Sequence, residues 1–350
     1  MLPQPFHPLR RDFLKSAGIL GAAPVLGARL APSAIAQTST PPATGSIPRR
    51  AFGKSGIEVS ALGVGGHALG VVKLESEAID IVRKSIDAGA TFMDNAWEYH
   101  DGVSEERMGK ALEGRRDQVF LMTKVCTHGR DKKVAMQQLE ESLKRLKTDH
   151  LDLWQVHECV YHNDPERHFA VGGVMEALDQ AKKDGKVRFV GFTGHKDPDI
   201  HLAMLAHGYP FDAVQMPLNP FDGQFKSFEQ RVLPELVKRG IAPIGMKSLG
   251  GTAESIKQGV LTVEEALRYS LSLPIAVLVS GMDSLGVLQQ NLDIVRKFKP
   301  MSEDERAAVR KRVADKAGDG RFELYKISAK FEGPPGREQH GLPPQAKVPD

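Results

Sequence analysis

Residues 174–191 read VMEALDQAKKDGKVRFVG: an amphipathic run from Val174 to Asp184, then Gly185, then the apolar stretch Val187-Arg188-Phe189-Val190-Gly191. Apolar residues keep helical spacing up to Asp184, and the glycine sits where a helix end needs the left-handed conformation. The stretch beyond the glycine has the length and branching of a buried strand. The same order recurs as Ile79 to Ala88, Gly89, then Ala90-Thr91-Phe92-Met93, and as Arg231 to Arg239, Gly240, then Ile241-Ala242-Pro243-Ile244-Gly245. Further strands are expected at residues 61–65, 119–124, 151–157, 212–215 and 275–279, which brings the set to eight. Eight strands alternating with helices predict an α/β chain closed into a (β/α)8 TIM barrel. A hairpin over residues 50–59, turning at Lys54-Ser55-Gly56, is expected to cap its bottom. The rival is an open, doubly wound sheet, because Gly63-Val64-Gly65-Gly66-His67-Ala68 fits the dinucleotide fingerprint with Ala in its third place. In that fold a helix begins at the second glycine, whereas Leu69 to Lys73 read here as loop before a helix at Glu75–Ala88. The glycines are then expected to let a rim loop lie close to a ligand.

Outward from the repeats, 41% hydrophobic and 26% charged residues describe a globular chain and exclude disorder and collagen-like repeats. No run reaches the roughly 18 apolar residues of a membrane-spanning helix, so no stable span is expected. The net charge of +3 is local: residues 1–36 hold Arg10, Arg11, Lys15 and Arg29 against Asp12, and the remainder cancels to zero. Nucleic acid is therefore not expected as a partner. Arg10-Arg11-Asp12-Phe13-Leu14-Lys15, the uncharged run Ser16–Ala28 and Ala34-Ile35-Ala36 resemble a twin-arginine (Tat) export signal over residues 1–36. That resemblance implies passage through the Tat translocase, an exported or periplasmic protein, and a cofactor inserted before export. Residues 37–48 read as a linker and 49–300 as the barrel. Residues 301–330 read as a helix and extension packed on it, and 331–350, with Gly333-Pro334-Pro335-Gly336, as a flexible surface tail.

In a barrel, chemistry belongs at strand C-termini. There the chain places Asp94, Tyr99 five residues later, Lys124 in Leu121-Met122-Thr123-Lys124, and His157 in Leu153-Trp154-Gln155-Val156-His157. Each alone has an ordinary structural account, but a lysine and an aspartate inside a barrel are costly to bury unless paired. With Met93-Asp94-Asn95-Ala96 and Tyr99, Gly102-Val103-Ser104-Glu105-Glu106, Gly109-Lys110-Ala111-Leu112, Thr123-Lys124, Val156-His157, Val190-Gly191-Phe192-Thr193-Gly194, Val214-Gln215, Lys247-Ser248-Leu249-Gly250 and Asn291, residues 50–300 resemble the aldo-keto reductase family. The resemblance implies a barrel that binds NADP(H) or NAD(H) without a dinucleotide-binding domain and reduces an aldehyde or ketone, or oxidises the alcohol.

Carbonyl reduction needs a hydride at carbon and a proton at oxygen. The resemblance gives Tyr99 the proton, Lys124 the task of lowering the phenol's pKa, Asp94 that of pairing with Lys124, and His157 that of orienting the substrate oxygen. It places the cofactor against Gly65, Thr193, Gln215, Met246, Lys247, Ser248, Leu249, Gly281, Asp283, Gln290 and Asn291. The chain departs from the family at Gly194, where Asn is frequent, and at Met246, where an aromatic commonly stacks under the ring. It also departs in Ser280-Gly281-Met282-Asp283-Ser284, which lacks the cations that grip a 2′-phosphate, and at Val287, where Arg is usual. NAD(H) therefore stands beside NADP(H).

Trp97, Tyr161 and Phe221 are the aromatics expected at the rim, for an apolar or ring-bearing carbonyl. Cys126 and Cys159 each stand two residues beyond a tetrad member on neighbouring strands, which makes them a candidate disulfide in an oxidising compartment. Two cysteines make no zinc motif, and His162, Asp164 and His168 read as a solvated loop, so no metal is expected. Two other functions stay open: a non-catalytic nicotinamide-nucleotide-binding subunit, and a Schiff-base aldolase using Lys124.

Overall fold

The computed structural model describes residues 45–126 and 130–348. The stretch read as an export signal and most of the linker lie outside the described residues.

A two-stranded antiparallel hairpin comes first, β1 (Arg49–Ala51) and β2 (Glu58–Ser60). Eight parallel strands come after it: β3 (Leu62–Gly65), β4 (Phe92–Asp94), β5 (Phe120–Val125), β6 (Leu151–Val156), β7 (Val187–Thr193), β8 (Ala213–Pro217), β9 (Ala242–Met246) and β10 (Val277–Gly281). They pair in sequence order, and β10 closes onto β3, so the sheet is a barrel. The three glycines of the repeating pattern take the left-handed conformation at helix ends, with φ of 90° at Gly89, 72° at Gly185 and 68° at Gly240.

The hairpin plugs the barrel's N-terminal end. Phe52 at its turn is fully buried, its ring centroid 4.9 Å from that of Phe120 and 5.5 Å from that of Phe189. The Lys54 amide donates to Gly240 O at 3.0 Å and ties the turn to the start of β9. Ligand access is thereby left to the opposite, C-terminal end.

Three local expectations are corrected. A six-residue helix, Gly66–Val71, starts directly after β3, where a loop was expected. Gly66 permits it, because a Cβ there would lie 2.5 Å from Asp94 O and 2.8 Å from the Asn95 side chain. Residues 331–348 are not a loose tail: a helix at Pro334–Gln339 and a 3-10 turn at Gln345–Lys347 lie on the barrel mouth. Lys196, Tyr161 and Arg337 all bind Glu332, which holds this segment in place. Asp164 and His168 are buried rather than solvated: the Asp164 carboxylate accepts from the Val160 and Tyr161 amides and from Arg130, and His168 Nε2 lies 3.5 Å from Cys159 Sγ.

The cysteines are not joined in a disulfide. Barrel stagger is the reason. Lys124 is level with Gln155 and Val125 with Val156, so His157 sits two residues higher than Lys124, at the level of Cys126, and Cys159 two residues higher again. The Cys126 thiol turns to Glu98, while the Cys159 amide binds Thr193 O on the far side, at 2.8 Å. Burial pushes the Cys159 thiol well above its ordinary pKa.

Candidate active site

A cavity of about 860 Å³ opens at the C-terminal rim. Tyr99 and His157 line it, with Met246, Lys247 and Thr193 from the strand ends opposite. Below Tyr99, Lys124 Nζ donates to Asp94 Oδ1 at 2.6 Å, to Asn95 O at 2.7 Å and to Tyr99 Oη at 3.3 Å. The ammonium is 1% exposed and has three oxygen partners, as a buried charge requires. The Tyr99 and His157 rings meet edge to face, with centroids 5.5 Å apart. The structure thus brings all four tetrad residues together.

Ser104 and Glu105 hold the loop that carries Tyr99. Ser104 Oγ donates to Gly66 O at 2.5 Å, and buried Glu105 accepts from Thr123 Oγ1 at 2.6 Å. Arg145 spans from Glu105 to Trp97 O and lies 5.2 Å over the Trp97 ring.

One electrostatic expectation is reversed. Burial, and then the charges of Asp94, Glu98 and Glu158, raise the Tyr99 phenol well above its ordinary pKa and outweigh the ammonium of Lys124 beside it. The phenol is therefore held neutral and loaded with its proton. Burial likewise pushes Glu158 up to about 8, with the Glu98 charge adding to it. Burial also lowers Lys247 and His195, and His67 falls to about 4.

The expected cofactor residues divide. Thr193, Met246 and Lys247 line the cavity. Gln215 lies on β8, its Nε2 3.4 Å from Asp94 Oδ1 and its buried Oε1 without a partner. Ser248 and Leu249 come after Lys247, whose φ of 56° turns the chain at the rim. Gly65 is level with Asp94 and Gly281, and its missing Cβ makes room for Ser280 O. Gly281, the last residue of β10, and Asp283 just beyond it are exposed. Asn291 is spent on Ser280 Oγ at 3.0 Å. Gln290 lies in a separate depression with Ile256, Leu261 and Asp293, because it faces outward from the Leu285–Arg296 helix.

Of the rim aromatics, only Trp97 lines the cavity. Phe221 is fully buried against Phe322, and Tyr161 donates to Glu332 and stacks on His340. Residues that sequence reasoning passed over also line it, among them Glu98, Glu158, His67, His195 and Tyr325, with Phe331, Gly333, Pro334 and Pro335 as a roof. Glu98 and Glu158 are the immediate neighbours of Tyr99 and His157, a signal the sequence did carry. The roof had no such signal. Its Gly333 amide donates to Glu158 Oε2 at 2.9 Å, and His195 Nε2 lies 3.2 Å from Phe331 O. Tyr325 is held by Glu323 and Asn219, beside a buried Lys326 paired with Asp222 and Glu323.

A sequence model of the aldo/keto reductase family matches residues 61–259, more than half of the chain. The chain belongs to that family. It is similar to the aldo-keto reductase YhdN of Bacillus subtilis, 32% identical over 196 residues, a match covering 51% of this chain and 55% of that relative. It is also similar to the L-galactose dehydrogenase of Arabidopsis thaliana, 26% identical over 295 residues, covering 74% and 91% of the two chains. Among solved structures, the holo form of an aldo-keto reductase from Bacillus halodurans superposes with a TM-score of 0.64 at 23% identity, over 76% of this chain and 96% of that one. One from Klebsiella pneumoniae, in complex with NADP and acetate, gives 0.63 at 22%, over 76% and 95%.

Proposed function

We propose that this protein is a nicotinamide-dependent oxidoreductase that interconverts a polar aldehyde or ketone with its alcohol, Tyr99 giving the proton to the developing oxyanion. The observation that carries the reading is the convergence of a neutral, buried phenol and His157 on one cavity, over a Lys124–Asp94 pair. The residues present fit the cofactor. Gln215 Oε1 is a buried acceptor without a donor, as an amide N–H2 of a nicotinamide would supply, and Thr193 and Met246 stand beside it at neighbouring strand ends. Bound there, NADP(H) or NAD(H) supplies the hydride. The chain's own part is to hold the carbonyl between Tyr99 and His157, to exclude water beneath the Phe331–Pro335 roof, and to deliver the proton.

The lining sets Glu98, Glu158, His67, His195 and Lys247 against the rings of Trp97, Tyr325 and Phe331, so polar groups on a substrate find partners there. Lys124 has all its directions filled and does not line the cavity, which disfavours its use as a Schiff-base nucleophile. A complete tetrad likewise favours turnover over mere nucleotide retention.

Export is part of the same proposal. A twin-arginine substrate that needs a nicotinamide would leave the cytoplasm with its nucleotide bound. Arg10→Lys with Arg11→Lys is expected to abolish export, followed by cell fractionation; unchanged export contradicts the signal. For the chemistry, NADPH and NADH consumption with small hydroxy-aldehydes and with aromatic aldehydes is the test. Turnover that favours the hydroxy-aldehydes is expected, and failure of every aldehyde together with absent nucleotide binding would overturn the reading.

A further inference from the structure

His157 Nδ1 lies 2.6 Å from Glu98 Oε1, a short and bent contact shielded from solvent. Glu98 comes from the loop after β4, and its other oxygen takes the Cys126 thiol. With Nδ1 turned to Glu98, the nitrogen left for a ligand in the cavity is Nε2. The titratable groups around the ring come from every side: Asp94, Glu98 and Tyr99 from β4 and its loop, Lys124 from β5, and Glu158 next in sequence. His67 after β3 and His195 after β7 complete the set, with Lys247 after β9 facing Glu158. Burial, with the charge of Glu98 adding to it, pushes Glu158 up to about 8.

A neutral imidazole has one N–H. If Glu98 takes that proton at Nδ1, Nε2 presents a lone pair, which accepts an alcohol O–H and repels a carbonyl oxygen. Only the doubly protonated ring donates from Nε2 to a carbonyl, and that hydrogen bond is then charge-assisted. We propose that Glu98 is a positioning residue that locks His157 with its Nδ1 proton on the Glu98 carboxylate, so that Nε2 receives the alcohol when the ring is neutral and the carbonyl when it is charged. This rests on the proposed function, in which the site exchanges a carbonyl and an alcohol. Burial lowers the ring's pKa while Glu98 opposes the fall, so the neutral, alcohol-accepting form prevails at neutral pH and the carbonyl-binding form gains as pH falls.

The test uses the full chain labelled with 15N-histidine, His157 being assigned by comparison with His157→Gln. Neutral His157 in the parent is expected as the Nδ1–H tautomer, shifting toward Nε2–H in Glu98→Leu. The same variant is assayed with an alcohol and aldehyde pair, 4-nitrobenzyl alcohol and 4-nitrobenzaldehyde, at a pH above the ring's titration. Its alcohol-to-aldehyde KM ratio is expected to rise up to about tenfold, the worth of one hydrogen bond. Glu98→Asp should restore both the tautomer and the ratio. Should Glu98→Leu not fold, Glu98→Gln keeps an acceptor at Nδ1 but removes the charge, and the midpoint of His157 should fall by about one unit. A parent ring in the Nε2–H form, a tautomer unmoved by Glu98→Leu, or a midpoint unmoved by Glu98→Gln would overturn the proposal. Absence of turnover with both probes counts against the functional reading, while the tautomer still decides this one.

Discussion

Tyr99 and Lys124 are one electrostatic unit, yet their removal should read out differently. Tyr99→Phe removes the proposed proton donor and leaves the ring in place, so carbonyl reduction should fall by about 10² to 10⁴ with nucleotide affinity nearly unchanged. Steady-state kinetics and fluorescence titration with NADPH check this. Lys124→Met instead leaves Asp94 buried with, among the described residues, the Gln215 amide at 3.4 Å as its remaining side-chain donor, and breaking a buried pair costs roughly 3–5 kcal/mol. A lowered urea midpoint should accompany its loss of activity. The four tetrad residues were legible in the sequence because each ends or comes soon after a strand, and strand ends set a common height. Glu98 and Glu158 were marked only by adjacency to Tyr99 and His157, because where they point depends on which way a loop turns: Glu158 has φ of 49°, a backbone state that local composition does not announce.

At the level of elements, the helix–glycine–strand units were readable because each is local, with a cap and a period. The roof was unreadable for the opposite reason. Residues 331–335 are poor in large apolar groups, and what fixes them is polar contact with residues remote in sequence, Glu158, Lys196 and Tyr161. Deleting residues 329–350 should therefore leave the barrel folded by circular dichroism but raise KM for carbonyl substrates several-fold, since the cavity loses its cover. The helix after β3 makes the complementary point. Gly66→Ala drives a methyl into the Asp94 carbonyl and should cost roughly 1–3 kcal/mol, measurable as a lower Tm, whereas Gly56→Ala meets open space and is burdened only by its positive φ of 78°.

Across the whole molecule, buried neutral histidines set the acid limit of stability. Burial lowers His168 to about 3 and His201 to about 4, from an ordinary value of 6.5. Between those values the unfolded chain binds more protons than the folded one, so stability falls as pH drops through 6.5 and levels off once the folded values are passed. Two such groups are expected to cost several kcal/mol in total by pH 4. Urea midpoints should thus be distinctly lower at pH 5 than at pH 7.5; equal midpoints would mean that these rings are charged or exposed in the folded state.

The barrel as a whole exists to present one rim, and the chemistry there is decided by the fate of a single hydride and proton. Incubating the protein with NADPH deuterated at the transferring position of the nicotinamide and with 4-nitrobenzaldehyde, then locating the label by mass spectrometry, tracks the hydride directly. Deuterium at the carbinol carbon with the parent chain, falling about 10² to 10⁴-fold in rate with Tyr99→Phe, is the predicted result. No label in the product, or equal labelling rates in the two proteins, would contradict it.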